Sequence, residues 1–261
     1  MAPLVLILIM YMKLPVLIYV LLPFLAGAQV AGIKAIKINS LKFADTAYSV
    51  QYPFISLPNA TVAKSINVTI KKTVFAETGY ENIVDVKKAL AAYSKDFLLE
   101  MSFKVIFNKS GILSLEIYFD VQGAYENSFY RHLTFNTATG KQLTLSDIIK
   151  ASSFNNFKQD ILNKKRKALQ QYAIDIKKDL DSNYISKEEY DESLSLVKNG
   201  GCADSVSLQE FTISNSCIQV YDDCDFPHAM RAQQPGYELK YFIDSADKMI
   251  NKQFLDNLIQ K

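Results

Sequence analysis

Two histidines, His132 and His228, are all the imidazole that this 261-residue chain offers for acid–base or metal chemistry. His228 closes "DDCDFPH", where Asp222, Asp223, Cys224, Asp225 and His228 form the densest run of metal-ligand side chains. A zinc site needs its ligands to converge on one point, and consecutive acids on one loop cannot all face one ion. The stretch therefore reads as a polar loop, and no metal or other cofactor is expected. "DLDSNYISKEEY" sets Asp179, Asp181 and Asn183 at the first, third and fifth positions of a calcium loop. Tyr184 stands where the turn glycine belongs and Tyr190 where the bidentate glutamate belongs, so it reads as a helix end followed by a new cap. No G-x-S-x-G, phosphate-binding or dinucleotide-binding fingerprint occurs, and neither histidine has the context of a catalytic triad. Two-carboxylate glycoside hydrolysis needs no histidine, so a carboxylate enzyme on cell-wall glycan stays open as the alternative to a chain that catalyses nothing.

Side chains suited to binding are more plentiful. The chain has 15 tyrosines and no tryptophan. Tyr118, Tyr125 and Tyr130 can stack on sugars, although strand aromatics commonly serve the core or cross-strand pairs. Two loop segments combine aromatic anchors with polar groups, as recognition loops do. "QGAYENSFYR" carries Tyr125, Asn127 and Tyr130, and "DFPHAMRAQQPGY" carries Phe226, His228, Arg231 and Tyr237. "NKKRK" at 163–167 reads as a solvated helix face. Asn59, Asn67 and Asn108 sit in N-x-S/T sequons, which matter only in a eukaryotic secretory path.

These groups need a frame and a compartment. Composition is globular, with 49% hydrophobic and 21% charged residues. A formal net charge of +2 gives no reason to expect nucleic acid or an anionic membrane as partner. "MKLPVLIYVLLPFLAGAQ" has Lys13, an apolar run and the small residues Ala26, Gly27 and Ala28, the order of a secretory signal. The expected reading is a start at Met12, cleavage after Ala28 and an exported, periplasmic or extracellular mature chain without a stable membrane span. The alternative is a longer uncleaved anchor, against which Pro15, Pro23 and the small-residue end argue. Three cysteines then meet oxidising conditions. A hairpin in "FTISNSCIQVYDD" turning near Asn215 sets Ile213 beside Cys217 and Val206 near Cys224. Cys202, on the Gly200-Gly201 approach, can fold back, which predicts a Cys202–Cys224 disulfide with Cys217 free and partly buried.

The patterning supplies strands first. "AIKINSLKFADTAYSVQYPFIS" reads as one or two strands ending at Tyr52-Pro53. In "NATVAKSINVTIKKTVFA", Asn59 or Thr61 can cap a helix that recurs at Val62, Ile66, Ile70 and Val74. "NIVDVKKALAAYSKDF" is a second helix, with Ile83, Val86, Leu90 and Tyr93 on one face. Alternation through Met101–Phe107 and Leu113–Phe119, around a turn at 108–111, predicts a hairpin with one buried face. A further strand, the Thr139-Gly140 turn and a short strand follow. The next helices are expected to be capped near Ser146, near Ser152 or Ser153, and by Ser186 with Glu189 in capping-box spacing. "YELKYFI" reads as a late strand and "SADKMINKQFLDNLI" as a closing helix. This order favours α+β with antiparallel sheet.

One stretch resembles a known family. "SFYRHLTFNTATGKQLTLSDII" is similar to the region after the sheet core in the RsiV/PdaC-type extracytoplasmic domain (domain of unknown function 3298). Thr139, Gly140, Lys141, Leu143, Thr144, Leu145, Asp147 and Ile148 fit its T-G-K-x-L-T-L-x-D-L pattern. "FTISNSCIQVYDDCDFPHAMRAQQPGYELKYFI" resembles the family's closing hairpin, loop and strand. "YPFISLPNATVAKSINVTI" and "LEMSFKVIFNKSGILSLEIYF" resemble the PdaC-like module that precedes it. The likeness spans about Tyr52 to Leu258. Tyr125 stands where the family has histidine after Gly-Ala, so a role for that histidine does not transfer. The resemblance implies two small antiparallel-sheet-plus-helix modules packed as one extracytoplasmic unit. The expected division is 1–28 signal peptide, 29–120 PdaC-like module and 121–261 RsiV-like module. It also implies cell-envelope sensing or binding of a protein or peptidoglycan-type glycan, lysozyme recognition by RsiV included, with no catalysis.

Overall fold

The computed structural model describes residues 30–39, 49–76, 78–123, 126–199, 204–222, 224, 239–246, 248–252 and 254. The proposed signal segment, Cys202, Tyr125, Phe226, His228, Arg231 and Tyr237 lie outside them. Among the described residues no helix is long and apolar enough to cross a membrane.

Two sheets with helices make an α+β fold, as expected. Strands β1 (Gly32–Asn39), β2 (Ser49–Ser56), β3 (Leu98–Lys109), β4 (Ile112–Gln122) and β5 (Glu126–Asn136) form the first sheet in sequential order. Its pairings are antiparallel except β2 with β3, which run parallel and touch in register only at Val50 and Met101. Two helices make that crossover, α1 (Ala60–Val74) and α2 (Val86–Asp96). Pro53 does not end β2, which continues to Ser56. The β2–β3 ladder has already stopped at Val50, so the proline interrupts no pairing on that side. The expected division at 120 falls inside β4, and the first sheet continues through β5.

Asn59 caps α1, its Oδ1 accepting from the Thr61 and Val62 N–H groups. The helix buries Val62, Ile66, Ile70 and Val74 against the sheet. Each such aliphatic contributes roughly 1.5–3 kcal/mol by leaving water. Helix α2 starts only at Val86, because Asp85 accepts from the Lys87 and Lys88 N–H groups and fixes the cap there. Ile83 is left outside the helix but packs on the same core as Leu115, Ile117 and Phe119. All three sequon asparagines are structural. Besides the Asn59 cap, the Asn67 amide exchanges two hydrogen bonds with the Ile55 backbone and Asn108 does the same with Ala31.

The Thr139-Gly140-Lys141 turn docks the end of β5 onto α1. Gly140 has φ +76°, and a Cβ there would meet the Val62 carbonyl oxygen at 2.9 Å. Its own carbonyl accepts from the Ser65 hydroxyl at 3.4 Å. Beyond the turn the expected short strand is only an isolated bridge, Phe135 with Gln142. The short helix α3 (Leu145–Ile148) is capped by Thr144 rather than Ser146, in a capping box with Asp147. Asp147 also holds Lys141 at 2.5 Å, which ties the turn to the cap. Partial burial raises the Asp147 pKa, but the bonds from Lys141 and Thr144 outweigh that and hold it below the ordinary carboxylate range.

Helix α4 (Ala151–Asp181) follows Lys150, two residues before the first of the expected serine caps, Ser152. It buries Phe157, Ile161, Lys165, Leu169, Tyr172 and Ile176 at steps of three and four, one long stripe. Its first half packs on the second sheet, β6 (Phe211–Ile213), β7 (Cys217–Val220) and β8 (Leu239–Phe242). Its second half packs on α5 (Lys187–Asn199), which carries the expected capping box of Ser186 and Glu189. The "NKKRK" segment is not uniformly solvated. Lys165 is 1% exposed and pairs with Asp222 at 2.9 Å, Lys164 reaches Asp160, and Arg166 reaches Asp204. The closing segment begins with α6 (Ile243–Ala246), and the helix expected from Ser245 is interrupted, since residues 248–251 are not helical while Lys252 and Phe254 are.

Candidate functional site at the seam of the two sheets

Strand alternation gives the first sheet two unlike faces. Leu113, Leu115, Ile117 and Phe119 of β4 meet the helices, while Ser114, Glu116, Tyr118 and Asp120 look the other way. In register with that second set on β5 stand Thr134, His132, Tyr130 and Ser128. The second sheet covers one end of this face. The Ser114 and Thr134 hydroxyls bond each other at 2.8 Å, Thr134 donates to the Phe211 carbonyl, and Ser114 accepts the Ile213 N–H.

Among the described residues the other end is open. Ser102, Phe103 and Lys104 of β3, Glu116 and Tyr118 of β4 and Tyr130 of β5 line a pocket of about 410 Å³. Tyr118 and Tyr130 meet at 5.2 Å between ring centroids, tilted by 52°. Tyr130 is 51% exposed. A hydroxyl relay supports the floor, Tyr118 donating to Ser128 and Ser128 to the buried Asp120.

His132 stands where cover gives way to opening. Its ring nitrogens lie 3.3 Å from two carboxylates, Nε2 from Glu116 and Nδ1 from Glu210. Its backbone N–H donates to the same Glu210 oxygen at 2.7 Å, which caps the edge of β5. Tyr221 stacks on the ring with centroids 3.4 Å apart and planes 3° from parallel. Burial, against the Thr212 hydrogen bond, raises the Tyr221 pKa, so this phenol stays neutral beside the imidazole. A neutral imidazole donates one N–H and an imidazolium donates two. The ring therefore joins both sheets and fixes the pocket-wall carboxylate of Glu116.

Sequence reasoning reached part of this. Tyr118 and Tyr130 form a cross-strand aromatic pair and both line the pocket. Asn127, three residues before Tyr130, falls on the opposite face of β5, in register with Val121. The structure therefore does not bring Asn127 to this site. Glu116, His132, Glu210 and Tyr221 were missed as a group. Register alone joins Glu116 to His132, but Glu210 lies 78 positions from His132 and carries no local signal.

The second hairpin departs from its expected register. Ile213 pairs with Ile218, not Cys217. The loop is the two residues Asn215 and Ser216, closed by the Ser214 N–H on the Cys217 carbonyl. Its centre falls between residues rather than on Asn215, and the ladder slips by one. Cys217 is a free, half-buried thiol, as expected. Cys224 is buried, while Cys202 lies outside the described residues. From the ligand-dense stretch, Asp222 is committed to structure, accepting from Lys165 Nζ and the Ser207 N–H.

No protein-family model and no curated protein matches this chain. Solved structures do. A DUF3298 family member from Bacteroides fragilis NCTC 9343 superposes with a TM-score of 0.55 at 15% identity, covering 90% of this chain and 99% of that one. A DUF3298 family protein from Pseudomonas aeruginosa PAO1 gives 0.51 at 10% identity, covering 88% and 96%. The class defined is thus an α+β fold like that of these two DUF3298 structures over about nine-tenths of the chain. Both likenesses support the domain assignment drawn from the Thr139–Ile148 pattern. At these identities they speak for the fold, and no residue's role comes with them.

Proposed function

We propose that this protein is a non-catalytic, exported cell-envelope binding module, and that the open end of the first sheet recognises its protein or glycan partner. The observation that carries the reading is the pair of half-buried Tyr118 and exposed Tyr130 over a half-polar pocket, backed by strands and by the His132 seam. Aromatic faces beside carboxylate, ammonium and hydroxyl groups suit a sugar ring or an aromatic-anchored protein contact. The carboxylate-hydrolase alternative is weaker. Glu116 and Glu210 approach opposite nitrogens of one imidazole, so the ring fills the space in which an acid and a base would flank a glycosidic bond.

Export with a mature start at Gln29 belongs to this proposal, and N-terminal sequencing of the released form tests it. So does the Cys202–Cys224 bridge, which non-reducing peptide mapping tests. For the binding surface, the wild type and a Tyr118→Ala/Tyr130→Ala variant are compared for retention of soluble peptidoglycan fragments and of envelope proteins. The expected result is loss of retention with an unchanged melting temperature. Equal retention by both proteins would move the surface elsewhere. Release of product from wall polymer, abolished by Glu116→Gln, would make the protein an enzyme.

A further inference from the structure

A second concavity lies away from the tyrosine pocket, between α1, the end of β2 and the segment leading into α2. It measures about 440 Å³. On its floor the Ile55 backbone is satisfied, since the Asn67 side chain accepts from the Ile55 N–H at 2.9 Å and donates to the Ile55 carbonyl at 2.7 Å. Above that floor the lining is apolar and uncovered among the described residues: Phe54 is 40% exposed, Val68 43% and Val84 92%. Three large apolar side chains open to water around one groove are a recognition feature, unlike single exposed aliphatics. The charged lining residues are Lys64 and Lys71, both on α1. They stand seven residues apart, about 10 Å along the helix, so their ammonium groups bracket the groove wall. Among the described residues no carboxylate lines it. The nearest carboxylate in sequence, Asp85 between Val84 and Val86, is engaged in capping α2.

We propose that this groove is a binding site for a single-chain anionic amphiphile of the fatty-acid type. The acyl chain would lie on Phe54, Leu57, Val68 and Val84, with the carboxylate at Lys64 or Lys71. Charge sign selects an anionic head over a neutral or cationic one. Size selects a small ligand over a protein. The volume falls in the range of small-molecule sites, and 12 residues line the groove where a stable protein interface takes roughly 20–30 from each side. A concave groove also suits one extracted chain better than a flat bilayer surface.

The test is calorimetric titration of the purified protein with dodecanoate below its micelle concentration, with far-UV dichroism as the control for folding. One saturable site is expected. Lys64→Gln/Lys71→Gln should weaken it by about tenfold or more, and Val68→Glu should remove it. Dodecyltrimethylammonium, which has the same chain under the opposite charge, should give no saturable binding. Should Val68→Glu unfold the protein, Val84→Glu, far more exposed and outside α1, takes its place. The proposal is overturned if dodecanoate shows no saturable site up to ~1 mM, if the groove variants bind as wild type does, or if the cationic amphiphile binds equally. Retention on phosphatidylglycerol vesicles without dodecanoate binding would assign the groove to a bilayer surface and overturn it as well.

Discussion

One sheet face, continued along the same two strands, ends in two different ways. At the Ser114–Thr134 end the second sheet lies on it, and both hydroxyls spend their hydrogen bonds on each other and on the backbone of β6. At the Tyr118–Tyr130 end nothing described covers it, and the polar groups relay to one another through Ser128 toward Asp120. The strands are the same, and so is the alternation. What differs is whether a side chain's polar group is answered by main chain brought from far away in sequence. Where it is, the group serves the fold. Where it is not, the group remains available to a partner, and that contrast marks the open end as the candidate site. His132 sits on the border, with Glu116 from one sheet and Glu210 from beside the other.

The largest effects are expected where cover is complete. Lys165 and Asp222 are 1% and 8% exposed as side chains. Asp222→Ala leaves a buried ammonium unpaired and should cost roughly 3–5 kcal/mol in denaturant unfolding. Lys165→Met with Asp222→Leu should recover only part of that, because the desolvation of both charges disappears together while the bonds to the Ser207 N–H and the Ser205 carbonyl are lost as well. A cost below ~1 kcal/mol for Asp222→Ala would mean that the surroundings of this ion pair are wetter than described.

Next is Gly140→Ala. A left-handed φ and a 2.9 Å approach to the Val62 carbonyl oppose the added Cβ. The expected cost is about 1–3 kcal/mol, read from the same unfolding curves. Tolerance of alanine would show that the turn does not bear on α1.

Legibility in the sequence follows the same divide. The β3–β4 hairpin is readable because Met101–Phe107 and Leu113–Phe119 alternate on their own. Helix α1 is readable because Asn59 precedes Val62, Ile66, Ile70 and Val74 at one spacing. Both signals are local. Lys165 reads as solvated because a lysine among lysines carries no sign of the Asp222 that awaits it 57 positions later. Pro53 reads as a strand end because the early end of the β2–β3 ladder cannot be seen from β2 alone. The β6–β7 slip came from counting a two-residue turn as a one-residue apex. Tyr118 and Tyr130 were legible as a pair, but the residues that set off their pocket, His132, Glu210 and Tyr221, meet only through the packing of the two sheets.

Smaller effects are expected in the network that ties the turn to α3. The Asp147 pKa is lowered in the folded chain. Its stabilising contribution is therefore complete above the unfolded carboxylate value and is lost as pH falls through the lowered folded value. Asp147→Asn should flatten the acid side of the stability–pH profile while leaving its neutral side nearly unchanged in slope. Because Asp147 is about a quarter exposed, the change is expected to be modest. An unaltered acid limb would remove Asp147 from the account.

Smallest of all, Tyr130→Ala should alter stability by no more than about 0.5 kcal/mol, as surface substitutions do. A larger loss would make Tyr130 part of the frame and not of the recognition surface.

Hydroxyl-radical footprinting, with and without a captured envelope fraction, tests the open end most directly. Tyr130 at 51% exposure and Tyr184 at 83% are both oxidisable in the free protein, and Tyr184 lies beyond the end of α4, away from the pocket. The account predicts strong protection of Tyr118 and Tyr130 on capture with Tyr184 unchanged. Protection of Tyr184 with Tyr118 and Tyr130 still oxidised would contradict it.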